Sequence, residues 1–161
     1  MVEIREATEK DKAQIWEIIK FVISAGDSFT LSPDSAREEM LADWCSPEKH
    51  TYVAVSENKV VATFYIKANQ PGLGSHVANA SYMVAPEARG KGIGRKIGEF
   101  SIAEAKRLGY HAMQFNFVVK SNEKAVSLWQ SLGFEIIGEI PEAFRHIENG
   151  LTNAYIMYRK L

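Results

Sequence analysis

The sequence predicts a mixed α/β (α+β) fold, with a central sheet of about seven strands flanked by about four helices. Three observations carry this reading. Short runs alternate apolar and polar residues, as in Val2-Glu3-Ile4-Arg5 and His111 to Val119. Between such runs, apolar residues recur at helical spacing, as in Ile15, Ile19, Val22 and Ile23. Turn and capping residues separate the two kinds of segment, in the order βααβββαβαββ.

Taken in order, Val2 to Arg5 is a first strand. Thr8, with Asp11 three residues on, opens the first helix. Ser24 to Pro33 is a polar break, and Pro33 to Trp44 reads as a second helix with Met40, Leu41 and Trp44 on one side. Thr51 to Val55 and Val60 to Lys67 form a hairpin around Glu57-Asn58-Lys59. After the loop Gln70 to Ser75, Val77 to Val84 is a strand that stops short of Pro86. A helix runs from about Ile93 to Leu108, with Ile93, Ile97 and Phe100 inward and Gly109 at its end. His111 to Val119 is a strand carrying Met113, Phe115 and Phe117 on one side. Ser121 or Asn122 caps a short helix that Gly133 terminates. Phe134 to Ile140 and Thr152 to Arg159 are the last strands, with Pro141 to Leu151 read as the loop between them. No repeat or linker interrupts the 161 residues, which suit one domain over 1–161.

A hydrophobic fraction of 46% and a charged fraction of 24% are those of an ordinary globular protein. The formal net charge of -1 gives no global field for nucleic acid, so any anion site must be local. Cys45 is the one cysteine, which excludes an internal disulfide and fits a reducing compartment. No apolar run approaches the roughly 20 residues a bilayer span needs, and the first residues lack a signal-peptide pattern. The expected location is cytoplasmic. His50, His76 and His111 show no metal-ligand spacing, so no metal site is expected.

The chemistry concentrates in Tyr82 to Ile97. A strand ends at Pro86, a loop of glycines and cations follows, and a helix begins. Such an order presents free N–H groups and a positive helix end to an anion. Two nucleotide fingerprints fail here. G-x-G-x-x-G would need glycine at Ile97 or Arg95, and a Walker loop would need Ser or Thr where Gly92 follows Lys91. Arg89-Gly90-Lys91-Gly92-Ile93-Gly94 instead matches (Gln/Arg)-x-x-Gly-x-(Gly/Ala), the acyl-CoA loop of the GNAT superfamily of N-acetyltransferases. Downstream, Asn122-x-x-Ala125-x-x-Leu128-Trp129-x-x-x-Gly133-Phe134 resembles that family's second signature, and the element order resembles it over nearly the whole chain.

The resemblance implies the GNAT fold, with a splay between the fourth and fifth strands, and acetyl-CoA as acyl donor. It implies that main-chain groups near Met83 and Val84 bond the cofactor's pantetheine arm. Residues Arg89, Gly90, Lys91, Gly92, Ile93, Gly94 and Arg95 would wrap the pyrophosphate. Asn122, Ala125 and Trp129 would form the opposite wall. Relatives often carry an acidic tyrosine where this chain has Trp129, whose indole donates hydrogen bonds but is no useful acid. Asn116, in the strand facing the gap, and Tyr82, a spare hydroxyl, are the catalytic candidates. No general base stands out, because the strand Val77 to Val84 holds no carboxylate. Glu139, Glu142, Glu148 and His146 are near the last loop by position only. The acceptor side, again by resemblance, draws on the segments around Phe29 and Thr30 and around Phe144 and Arg145. Arg145 suits a carboxylate, the nearby glutamates a cationic amine, and both alternatives stay open. The implied activity is acetyl transfer to a primary amine of a small molecule or peptide, with homodimers seen among relatives. The alternative is a catalytically weak acyl-CoA-binding sensor or interaction module.

Overall fold

The computed structural model describes Met1–Leu161. Its elements are β1 (Val2–Glu6), α1 (Lys12–Ala25), α2 (Arg37–Trp44), β2 (His50–Ser56), β3 (Lys59–Ala68), β4 (Val77–Val84), α3 (Ile93–Arg107), β5 (Ala112–Val119), α4 (Glu123–Ser131), β6 (Glu135–His146) and β7 (Gly150–Lys160). The strands form one seven-stranded sheet in the order β1-β2-β3-β4-β5-β7-β6. All neighbours run antiparallel except β4 and β5. No helix is long and apolar enough to cross a membrane.

Side-chain alternation on β3 sorts the helices onto two faces. Thr63 and Tyr65 point toward Trp44 of α2: the indole Nε1 donates to Thr63 Oγ1 at 3.0 Å, and the Trp44 and Tyr65 rings meet edge-on at 4.8 Å. Phe64, between them, turns the other way and meets Phe100 of α3 at 6.0 Å. The apolar stripe of α1, from Ile15 to Ile23, and the inward residues of α3, Ile93 and Ile97, are buried in one continuous core with the sheet.

Local chemistry explains most boundaries. The two-residue turn Glu57-Asn58 has both φ angles positive, at 50° and 63°, as the primed hairpin turn requires. Gly109 and Gly133 follow their helices at φ 92° and 90°. Two expectations change. The second helix starts at Arg37, not Pro33, because Ser32 holds the chain in a turn. Its carbonyl accepts from Ser35 N at 3.1 Å and Ser35 Oγ at 2.6 Å, and its hydroxyl accepts from Asp34 N at 3.3 Å. The segment Pro141 to Leu151 is not a loop. β6 continues to His146, with Phe144, Arg145 and His146 paired to Thr152, Leu151 and Gly150, and the register shifts between Ile140 and Phe144. Pro141 is accommodated there because β6 is an edge strand and the irregularity absorbs the missing N–H.

Candidate functional site

The site starts where β4 and β5 part. They pair only at Val77↔Ala112 and Ala78↔Met113, although each strand continues for six more residues. β4 bonds β3 through Val77 O and Ala85 N, so in an antiparallel ladder Asn79, Ser81 and Met83 also face β3. The main-chain groups of Ala80, Tyr82 and Val84 therefore face the gap. Met83 is buried at 2% exposure with its main chain turned to β3, and Val84 is the gap-facing member of that predicted pair. On the far side β5 carries a bulge between Phe115 and Val118, which bends it away from β4.

At the end of β4 the chain turns through Pro86–Ala88 and enters the glycine loop. Gly90 and Gly92 have φ 76° and 77°, and a Cβ on either would meet nothing within 4 Å. Their conformation, and not crowding by protein atoms, is what needs glycine. The main-chain N–H groups of Gly90, Lys91, Gly92, Ile93, Gly94 and Arg95 have no acceptor within the protein; the next, Lys96 N, bonds Gly92 O at 3.2 Å. A run of unpaired donors at the start of a 15-residue helix is an anion cradle. The surrounding cations are exposed. Arg89 lies over the Phe21 ring at 5.3 Å, and Arg95 bonds Ser131 Oγ at 2.7 Å and approaches Glu99 at 3.4 Å.

A cavity of about 290 Å³ occupies the gap and passes through the sheet. Tyr82, Phe115, Ala125 and Trp129 line it on the α4 face; Phe29, Thr30, Trp44 and Tyr65 line it on the α2 face. Asn122 also borders it while capping α4, its Oδ1 accepting from Ala125 N at 3.4 Å. Thus Tyr82, Asn122, Ala125, Trp129, Phe29 and Thr30 converge. Asn116 does not reach the cavity. It is exposed at the β5 bulge and donates to Asn69 Oδ1 at 2.6 Å. Phe144 and Arg145 line a neighbouring depression that shares Phe29, Thr30 and Leu31 as a wall.

Residues 14–134 match the model of the acetyltransferase (GNAT) family. The chain belongs to that family. A GCN5-related N-acetyltransferase from Kribbella flavida superposes with a TM-score of 0.96 at 40% identity, covering 99% of this chain and 98% of that one. The N-acetyltransferase aca1 of Schizosaccharomyces pombe is 38% identical over 101 residues, 62% of this chain and 48% of aca1. The protein yncA of Salmonella typhimurium, solved with its cofactor acetyl-CoA, shares the fold with a TM-score of 0.88 at 23% identity, over 100% and 94% of the two chains. The chain spans about half the length, or less, of the curated relatives it matches.

Within this GNAT frame the polar groups sort by availability. Tyr82 Oη is 2.6 Å from Ser101 Oγ, and burial pushes the hydroxyl well above the ordinary tyrosine range. Trp129 is wedged among Phe115 at 4.6 Å, Tyr82 at 4.7 Å and Phe134 at 5.8 Å, and its indole N–H has no protein acceptor. Glu139 is held by Asn153 at 2.6 Å and Lys120 at 3.1 Å, which lower its pKa. His146 Nδ1 accepts from Glu148 N and Asn149 N, both at 3.1 Å, closing the β6–β7 turn. The one charged residue among those lining the cavity is Asp43, whose side chain is 62% exposed and which sequence reasoning passed over. Only its position one residue before the buried Trp44 marks it in the sequence.

Proposed function

We propose that this chain transfers an acetyl group from acetyl-CoA to a primary amine of a small molecule or peptide. The observation that carries the reading is the continuity of two features: the unpaired donors of Gly90 to Arg95 and the through-sheet cavity, joined by the gap-facing edge of β4. A pyrophosphate fits the donors, because charge-assisted hydrogen bonds to several N–H groups add up where the exposed cations are screened. A pantetheine amide fits the free main-chain groups of Tyr82 and Val84, as an added strand would. Asn122, Ala125 and Trp129 wall the arm.

When bound, acetyl-CoA supplies an activated thioester. Overall, an alkylammonium and the thioester give an amide, a thiol and one proton. A C–N bond forms as the C–S bond breaks. An alkylamine has a pKa near 10.4, so only about one molecule in 10³ is neutral at pH 7, and the site must favour loss of that proton. Asp43 is the carboxylate beside the cavity. With Tyr82 committed to Ser101, water is the proton source for the leaving thiolate.

Release of free thiol from acetyl-CoA, followed with a panel of primary amines, tests the reading. At least one amine is expected to raise the rate above that of hydrolysis. The absence of a side-chain acid near Trp129 favours a second reading, an acyl-CoA-binding sensor. Cofactor binding without turnover on the whole panel would establish it instead.

A further inference from the structure

Resting on that acetyltransferase reading, we infer that the acceptor is a small primary amine on an apolar, ring-bearing body with no carboxylate beside the nitrogen, and that Asp43 holds its ammonium.

The cavity's own chemistry carries the inference. Twelve of its 17 lining residues are hydrophobic, and its acceptor end is walled by Phe29, Leu31, Trp44, Tyr65 and Phe117. Flat aromatic walls suit a ring, and their faces favour a cation. A volume of about 290 Å³ is at the small end for a ligand pocket, which favours a small acceptor. Asp43 supplies the single charge, and it is negative.

The nearby cations are not free for a ligand carboxylate. Lys49 is held by Asp43 and Tyr65, two of the lining residues. Its Nζ donates to Asp43 O at 2.7 Å, lies 3.3 Å from Asp43 Oδ1 and sits 4.3 Å from the Tyr65 ring centre, with its side chain only 5% exposed. Arg145 and His146 belong to the depression beyond the wall of Phe29 to Leu31. An amino acid bound with its nitrogen in the cavity would therefore place its carboxylate among apolar walls, close to a like charge. That costs free energy which the neutral hydroxyls of Ser28, Thr30 and Ser81 offset only in part, because no cation lines the cavity.

Asp43 itself breaks a local rule. It lies in the last turn of α2, where the helix dipole disfavours a carboxylate. Lys49 compensates through one carboxylate oxygen and the helix-end carbonyl, leaving Oδ2 with no protein partner. The Asp43 side chain is 62% exposed and open to water, and what offers it to a ligand is its place beside the cavity as the one charged lining residue.

The test compares 2-phenylethylamine with L-phenylalanine, which differ only by the carboxylate, in the free-thiol assay on the whole chain. The amine is expected to exceed the amino acid in kcat/KM by about tenfold or more, the effect of one charge-assisted hydrogen bond and one avoided repulsion. Asp43→Asn is expected to raise KM for the amine by about tenfold, with CoA affinity unchanged by calorimetry. Asp43→Ser provides a second variant if Asn disturbs the helix end. Acetylation of phenylalanine as fast as the amine, or an unchanged KM in the variants, overturns the inference and leaves the acetyltransferase reading standing. Thiol release that no amine raises above the rate of hydrolysis overturns both.

Discussion

Asn79 and Gln114 tie the two splayed strands together where their pairing stops. Asn79 Nδ2 donates to the Gln114 carbonyl at 3.0 Å, one step beyond the last ladder pair, Ala78↔Met113. Asn79 is only 8% exposed, so the bond replaces the ladder bond that the splay removes. The same contact fixes how far the strands stand apart at the root of the gap.

Replacing Asn79 by Leu keeps the branched shape, adds some bulk and removes the donor. Gln114 O then has no partner, at a cost of about 1–3 kcal/mol. The melting temperature is expected to fall, and CoA affinity with it, because the gap's width is no longer held. Thermal melts with and without CoA measure both. Two unchanged values would show that the bridge has no part in shaping the site.

In the glycine loop, backbone shape should outweigh charge. Gly92 has φ 77°, so Gly92→Val forces a β-branched residue into a left-handed conformation. That costs at least about 1–2 kcal/mol, or re-aims the neighbouring N–H groups. Lys91→Ala removes one exposed, salt-screened cation. Gly94→Ala should be mild, because its Cβ would sit 3.5 Å from Leu128 Cδ2, an ordinary contact. Calorimetric CoA titrations are expected to rank the losses Gly92→Val, then Lys91→Ala, then Gly94→Ala. Equal losses for the first two would refute the ranking.

The glycine loop and the cap of α4 were legible because they are local. Arg89 to Gly94 and Asn122 to Phe134 are contiguous, and their glycines and caps carry backbone instructions that need no tertiary partner. The acceptor half is not local. Phe29, Asp43, Tyr65 and Phe117 meet only after two helices and three strands have packed. In the sequence, Asp43 is one more charge on a helix between Ala42 and Trp44. Asn116 reads as facing the gap by alternation, yet the β5 bulge changes which residues oppose β7 and leaves it at the surface. Pro141 reads as a strand breaker because edge position is a property of the whole sheet.

Trp129 packs at the wall of the cavity. Its ring touches Tyr82, Phe115 and Phe134, and its Cζ3 would lie 3.1 Å from a Cβ at Gly98, so it also fills the seam between α3 and α4. Trp129→Ala is expected to cost about 3–5 kcal/mol by denaturant unfolding, and Trp129→Phe clearly less. A loss for Trp129→Ala well under 1 kcal/mol would mean the ring is held loosely and serves the ligand alone.

Asp11 should set part of the acid limit of the fold. The Arg5 guanidinium bonds both its oxygens, at 2.8 and 2.9 Å, and Thr8 N donates at 2.7 Å. Against the opposing effect of burial, these bonds bring its pKa from 3.8 to about 2. A depressed carboxyl pKa stabilises the folded state above the unfolded value, and that stabilisation disappears as pH falls through the folded one. Here it is fully present above about pH 4 and lost toward pH 2. The shift corresponds to roughly 2 kcal/mol at most, reduced by solvent screening because Arg5 is 39% exposed. Urea unfolding of the wild-type protein and Asp11→Asn should therefore differ by a constant amount at neutral pH. The two curves should then converge as acid is added. A difference that stays constant down to pH 2 would assign the cost of the substitution to packing, and not to the charge on Asp11.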